Sequence, residues 1–325
     1  MNPKVTVLIP VFNRAQFVDE AIRSVMEQDF ADFEIVLADD GSTDATPRVL
    51  ESWRQRDPRV VVVTSPVNRG IPAALNLGLA HARGKYIARL DSDDLMMPRR
   101  LAEEAALLDA RPDVAVASCY FEVVDLEGRH VRIWRGDEPH EVTLLLLNFF
   151  NSVGGPQTMF RRDDVIAEGG YSLDCPVSED YEMFVRLLRR GRLETLPFVG
   201  VRKRTHADQS ILRWAGERRV IWSRVMRSSL EPYLMRPVCD EEIDALITVW
   251  RDDGIPGRAA LADSVMREAF ARFCAAVPDR ALRVIARKKI AHRWFIAGRI
   301  FRSRGHPAEA AKYLARAARW LLTPR

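Results

Sequence analysis

One pattern repeats four times in the first ninety residues of this 325-residue chain, and it leaves few folds open. Short β-rich apolar runs occupy Val5–Ile9, Phe33–Ala38, Val60–Val63 and Tyr86–Leu90. Between them, apolar residues recur at helical spacing: Phe17, Val18, Ala21, Ile22 and Val25, then Val49, Leu50 and Trp53, then Ile71 through Ala82. Ser42 or Thr43 stands where a side chain would cap the second of these helices. The alternation predicts an α/β fold, a mostly parallel sheet with helices on both faces. The runs lead into polar punctuation: Pro10, Asp39-Asp40, the Asn68-Arg69-Gly70 turn and Asp91-Ser92-Asp93-Asp94. Ligands bind beyond the carboxyl ends of such strands, so one sheet edge would gather all four.

The last of these ends packs three carboxylates, Asp91, Asp93 and Asp94, into four positions. Carboxylates this close repel one another unless a cation or hydrogen-bond donors stand among them. Mg²⁺ and Mn²⁺ take oxygen ligands, and Mg²⁺ fills its shell with water and substrate phosphates. The stretch by itself supports two readings: a metal–diphosphate site, or an acidic turn into a helix that Pro98 begins.

Beyond residue 98 the pattern loosens. Helices are expected at Arg99–Ala110 and Glu179–Arg190. Strands are expected at Val114–Ser118, across Tyr120–Trp134 with a turn at Glu127-Gly128, at Gln157–Phe160 and at Leu193–Val201. The very apolar Glu141–Phe150 suits a buried helix or the lip of an acceptor site. From about Asp208 onward the pattern is nearly all helical, with breaks expected near Pro232, Pro237, Gly254–Pro256, Pro278 and Gly305–Pro307.

Hydrophobic residues at 47% and charged residues at 29% are ordinary for a globular chain. No apolar run reaches the ~18 residues of a membrane span. Val5–Ile9 is too short for a signal-peptide core. Cys119, Cys175, Cys239 and Cys274 show no paired spacing and suggest free thiols in a reducing cytoplasm. The net charge of +4 conceals an asymmetry. From Arg213 to the end there are 23 Lys/Arg against 12 Asp/Glu, a net +11, which leaves −7 for the rest. From Arg280 onward 13 basic residues meet one acid, Glu309, with Trp294, Phe295, Phe301, Tyr313 and Trp320 interleaved. Such basic amphipathic helices suit either an anionic membrane surface or a helical cap with a solvated face. Residues 296–318 also resemble a single helical hairpin of the tetratricopeptide kind. Nucleic acid is not an expected partner, because no reading element accompanies the charge.

Ile9-Pro-Val-Phe-Asn13, Asp39-Asp-Gly-Ser-Thr-Asp44, Asn68-Arg-Gly70, Gly84 and Asp91-Ser-Asp-Asp94 occur in this order. Phe160-Arg-Arg162, Gly169-Gly-Tyr171, Ser178-Glu-Asp-Tyr181 and Arg204-Thr-His-Ala-Asp-Gln-Ser210 follow. The set resembles the inverting nucleotide-sugar transferases of glycosyltransferase family 2, over about residues 4–212. The resemblance implies a GT-A catalytic domain at 1–212, with nucleotide-sugar binding in about 1–100 and the acceptor side in about 101–212. A basic helical region, 213–325, would follow.

The resemblance also implies residue roles. Asp39 would accept a hydrogen bond from the nucleobase, and Pro10 and Phe12 would line the nucleoside pocket. Asn68 and Arg69 would belong to the nucleotide site, with Arg69 on base or phosphate. Asp40 carries no settled role, and Asp44 either joins the site or caps the following helix. Asp91 would meet ribose or sugar hydroxyls. Asp93 would contact Mn²⁺ or Mg²⁺, with Asp94 as the alternative ligand, and His206 would complete the metal site or bind the diphosphate. Lys203 departs from the family's Tyr before Arg204. Asp180 would be the general base, with Glu179 assisting or capping. Arg161 and Arg162 would grip diphosphate or acceptor, or stand on the surface. The expected activity is metal-dependent inverting sugar transfer, from a nucleotide-sugar donor, UDP-linked by the resemblance, to a glycan or lipid-linked acceptor in envelope polysaccharide synthesis. The expected location is the cytoplasm, either free or peripheral at the inner face of the cell membrane. Alternatives are a dTDP- or GDP-sugar donor, or a nucleotide-sugar-binding subunit without turnover.

Overall fold

The computed structural model describes residues 2–206, 218–251 and 256–322. The chain divides into two compact units, Met1–Asp137 with Val153–Ala215, and Glu138–Ser152 with Gly216–Arg325.

The first unit is built on a nine-stranded sheet. Its strands are β1 (Val5–Val11), β2 (Phe33–Asp39), β3 (Val60–Thr64), β4 (Tyr86–Arg89), β5 (Leu95–Met96), β6 (Val114–Val124), β7 (His130–Trp134), β8 (Thr158–Arg161) and β9 (Arg192–Arg204). Their order is β3-β2-β1-β4-β8-β6-β9-β5, with β7 paired to β6. The four N-terminal strands run parallel, as their alternation with α1 (Val18–Met26), α2 (Thr46–Arg56) and α3 (Ile71–His81) requires. Beyond β4 the sheet is mixed: β8 is antiparallel to both β4 and β6, and β9 is parallel to β6. β1 and β2 are buried along their whole length, which explains their continuous apolar runs. β1 runs through Pro10, opposite Ala38, rather than stopping at the proline.

Local details depart from the sequence reading at two helix boundaries. Neither Ser42 nor Thr43 caps α2; Asp44 does the nearest equivalent, its Oδ1 accepting the Thr46 N–H at 2.8 Å. The helix after the acidic turn is α4 (Arg100–Ala110), two residues past Pro98. The unit also carries α6 (Arg162–Ala167) and α7 (Glu179–Leu187).

The second unit is helical among the described residues. It comprises α5 (His140–Leu147), α8 (Arg218–Leu234), α9 (Asp240–Arg251), α10 (Ala259–Ala276), α11 (Arg280–Ser303) and α12 (Pro307–Leu322). The apolar 141–150 stretch is therefore a buried helix: Val142, Leu145, Leu146 and Phe149 pack into this unit's core, and Phe149 stacks on Trp250 at 5.2 Å. Pro232 lies inside α8 instead of breaking it; two residues from the helix end, its missing N–H costs a single bond. Pro237, Pro278 and the Gly305–Pro307 stretch do separate helices, whereas Gly254 and Ile255 lie outside the described residues. α11 and α12 form the expected hairpin around Trp294, Phe301 and Tyr313. No described helix is long and apolar enough to cross a membrane.

Candidate active site

The acidic turn leaves β4 and is closed by an Asp94 N–H to Asp91 carbonyl bond of 3.2 Å. Asp91, Asp93 and Asp94 each present an oxygen within 4.8 Å of the others. Their surroundings differ. Asp91 Oδ1 lies 2.8 Å from Arg89 Nη2, and its Oδ2 4.0 Å from Lys203 Nζ. Burial pushes the Asp91 carboxyl up, but the two cations outweigh it and hold the group below its ordinary range. Asp93 Oδ2 accepts from His206 Nε2 at 2.9 Å and stands 3.5 Å from Arg14 Nε. Asp94 is 1% exposed. Its Oδ1 accepts the Arg204 N–H at 3.0 Å, while its Oδ2 is buried with no hydrogen-bond partner among the described residues. Burial drives the Asp94 carboxyl well above the ordinary range; Lys203 pulls back, and the charges of Asp91 and Asp93 add to the rise. A buried carboxylate oxygen without a donor, beside two further carboxylates, is a donor set that fits a hard divalent cation, and His206 meets that set through Asp93.

Two distant segments complete this end of the sheet. β9 pairs with β5 directly after the turn, Leu95 opposite Arg202, and the Asp94–Arg204 bond fastens its end. That delivers Lys203 and His206 to the carboxylates. The His206 ring packs on Phe17 at 4.8 Å, and the Arg204 guanidinium lies over the same ring and pairs with Glu20. Ser210 and its neighbours in the same motif lie outside the described residues.

At the end of β2, Asp39 is buried and its Oδ1 accepts the Ser42 N–H at 3.1 Å. Asp40 spends both oxygens on the next loop, accepting from the Arg69 N–H at 2.9 Å and the Gly70 N–H at 2.7 Å. It thus shapes the Asn68 turn, leaving the side chains of Asn68 and Arg69 exposed. Asn13, after Pro10 and Phe12, ties the same region: its Oδ1 accepts the Thr43 N–H at 2.8 Å. Pro10 and Asp39 thus stand at the ends of β1 and β2, and Phe12, Asn68 and Arg69 on the loops that follow, all at the carboxyl edge of β1, β2 and β3.

Asp180 is the second residue of α7, which Glu179 opens after Ser178, a residue with a left-handed φ of 65°. Asp180 Oδ1 accepts the Tyr181 N–H at 2.7 Å. Its Oδ2 faces Gly155, where an added Cβ would lie 3.0 Å away. Burial raises the Asp180 carboxyl above its ordinary range, against the Tyr181 N–H, Lys203 and Arg89. Glu179 is buried beside it; burial and the Asp180 charge push its carboxyl up to about 8, with Arg89, at 3.9 Å, opposing. Arg89, 4% exposed, thus links the acidic turn to the start of α7.

Arg89, Lys203, Arg14 and Gly155 were not singled out as site residues from sequence. Arg89 had a signal, a lone charge inside a buried strand run, and Lys203 had one in its departure from the family pattern. Arg161 belongs elsewhere. It pairs with Tyr86 at the opposite end of β4, and its guanidinium donates to the Leu108 and Arg111 carbonyls at 2.7 and 3.1 Å.

A parallel half sheet, extended by mixed strands and carrying its carboxylates at the strand ends, is the arrangement of the GT-A fold. The profile described as Glycosyl transferase family 2 matches residues 6–167, and the chain belongs to that family. An uncharacterized glycosyltransferase of Haemophilus influenzae is 28% identical over 242 residues, covering 71% of this chain and 75% of that protein. Succinoglycan biosynthesis protein ExoO of Rhizobium meliloti is 36% identical over 148 residues, 46% of this chain and 42% of its own length. Among solved structures, S. aureus TarS 1-349 in complex with UDP-GlcNAc aligns with a TM-score of 0.61 at 20% identity, over 98% and 91% of the two chains. The Pyrobaculum calidifontis mannosyltransferase PcManGT in complex with GDP-Man and Mn²⁺ gives 0.57 at 21%, over 99% and 88%. At these identities the structural likeness speaks for the fold. The family and its named relatives make the chain a glycosyltransferase.

Proposed function

We propose that this glycosyltransferase is metal-dependent and inverting, and moves a sugar from a nucleoside diphosphate donor, UDP-linked, to a hydroxyl of a glycan or lipid-linked acceptor in envelope polysaccharide assembly. The observation that carries the metal-bound donor site is the Asp91–Asp93–Asp94 cluster with the unpartnered, buried Asp94 Oδ2. Asp93, Asp94 and His206 would hold Mn²⁺ or Mg²⁺, which supplies positive charge against the departing diphosphate. Asp39, Pro10, Phe12, Asn68 and Arg69 form the nucleoside end, with Asp39 accepting from the base. Asp91, pinned by Arg89, meets ribose or sugar hydroxyls.

Asp180 takes the acceptor proton. As the acceptor oxygen bonds to the anomeric carbon, the bond from that carbon to the diphosphate oxygen breaks, the electron pair leaves with the diphosphate, and the configuration inverts. An alcohol attacks poorly while it keeps its proton, and a carboxylate whose pKa is raised by burial is a better base.

The test is sugar transfer and nucleoside diphosphate release by Asp180→Asn. A rate loss of ~10²–10⁴-fold with donor binding retained is expected; full activity would sink the base assignment. The acidic limb of the wild-type rate–pH profile, where protonated Asp180 cannot accept, should disappear in the variant's residual rate. Donor binding that ignores EDTA entirely would remove the metal from the scheme. A thermal-shift screen with UDP-, dTDP- and GDP-sugars in Mn²⁺ decides the base.

A further inference from the structure

Lys203 sits where the sequence leaves the family pattern, next to the end of β9. Its position is set from three sides. β9 pairs with β6, Val123 opposite Lys203, and with β5 at Arg202, and the adjoining Arg204 N–H is bonded to Asp94 Oδ1. The ammonium stands 4.0 Å from Asp91 Oδ2, too far for a direct hydrogen bond. Arg89, at 2.8 Å, already neutralises Asp91. Among the described residues Lys203 therefore makes no direct hydrogen bond, and its side chain remains 34% exposed. Burial favours its neutral form, but Asp94, Asp91, Asp180 and Asp93 outweigh that and keep it charged. A compact cation with three unspent donors, partly exposed beside a carboxylate cluster, has the chemistry to take an anionic oxygen.

We propose that Lys203 is a donor-binding residue: its ammonium takes a phosphate oxygen of the nucleoside diphosphate beside the divalent ion, so that part of the diphosphate affinity does not depend on metal. The inference rests on the donor site proposed above. It adds a fixed positive charge contributed by the chain itself, on the residue bonded directly to the one that holds Asp94.

Binding of UDP, dTDP, GDP and inorganic pyrophosphate to the full chain, by calorimetry in Mn²⁺ and in EDTA, tests it. Wild type should bind a nucleoside diphosphate in Mn²⁺ and retain weaker, measurable binding in EDTA. Lys203→Met should weaken the EDTA binding by about tenfold or more, the loss expected for a hydrogen bond to a charged group. Lys203→Arg should keep most of it, because the charge remains. Lys203→Gln serves if the methionine variant does not fold by circular dichroism, and should show the same loss. Wild-type affinity in a folded Met or Gln variant overturns the proposal, as does wild type that binds in Mn²⁺ and not at all in EDTA. If wild type binds no nucleoside diphosphate even in Mn²⁺, the donor-site reading itself fails, and this inference with it.

Discussion

Three carboxylates within four positions of the chain meet three different fates. Asp91 is held ionised by two cations, Asp93 faces an imidazole, and Asp94 is buried with one oxygen unpartnered. Their positions were legible in the sequence because they follow a strand. Their separate characters were not, because Arg89, Lys203 and His206 arrive from β4 and from more than a hundred residues downstream. Behind the turn lies a buried pair, Arg100 and Glu104, both fully buried. Arg100 also donates to the carbonyls of Pro156, Arg89 and Thr158, so it braces the end of β4. Burial pushes the Glu104 carboxyl up to about 7, against Arg100. The folded chain therefore keeps a proton that the unfolded chain has released above its ordinary 4.5. This group's contribution is whole below pH 4.5 and is lost as pH rises through 7, by up to ~1.4 kcal/mol per pH unit. Denaturant unfolding at pH 5 and pH 7 should show the decline, and Glu104→Gln should flatten it.

The strands and helices follow their periodicity closely, and the exceptions have local causes. Thr6 and Glu34 are polar residues inside fully buried strands, which patterning alone leaves unexplained. The Thr6 hydroxyl donates to Glu34 at 2.7 Å and accepts the Gly84 N–H at 2.9 Å, and Glu34 takes the Arg83 N–H at 2.7 Å. The turn before β4 is thereby stitched to β1 and β2. Gly84 is there because a Cβ would lie 2.4 Å from the Thr6 nitrogen. Gly84→Ala should cost about 1–3 kcal/mol by forcing backbone apart, read as a lower denaturation midpoint with an unchanged slope. Gly155 is the counterpart in the site. Gly155→Ala crowds the Asp180 carboxylate and should lower the turnover rate while leaving nucleoside diphosphate binding near wild type, read by steady-state kinetics beside calorimetry.

The whole chain separates into a sheet unit and a helical unit, and the segment 138–152 belongs with the helices although sheet strands flank it in sequence. Along α11 one exposed line carries Val284, Lys288, His292, Phe295, Arg299 and Arg302, with Phe295 45% exposed. If this unit docks on an anionic membrane, each Lys or Arg near the surface contributes about 1 kcal/mol. Co-sedimentation with phosphatidylserine vesicles should then fall as salt rises, and fall further in Lys288→Glu/Arg299→Glu. Absence of binding at low salt rejects the membrane role.

The order of strands and helices, the parallel half of the sheet and the acidic strand end were readable along the chain, because hydrophobic period and turn chemistry are local properties. How Lys203 and His206 reach the acidic turn, why Asp40 shapes a loop, and how Gly155 bears on Asp180 depend on closing contacts across 25 to 113 residues. Those contacts exist only once the sheet has set its register.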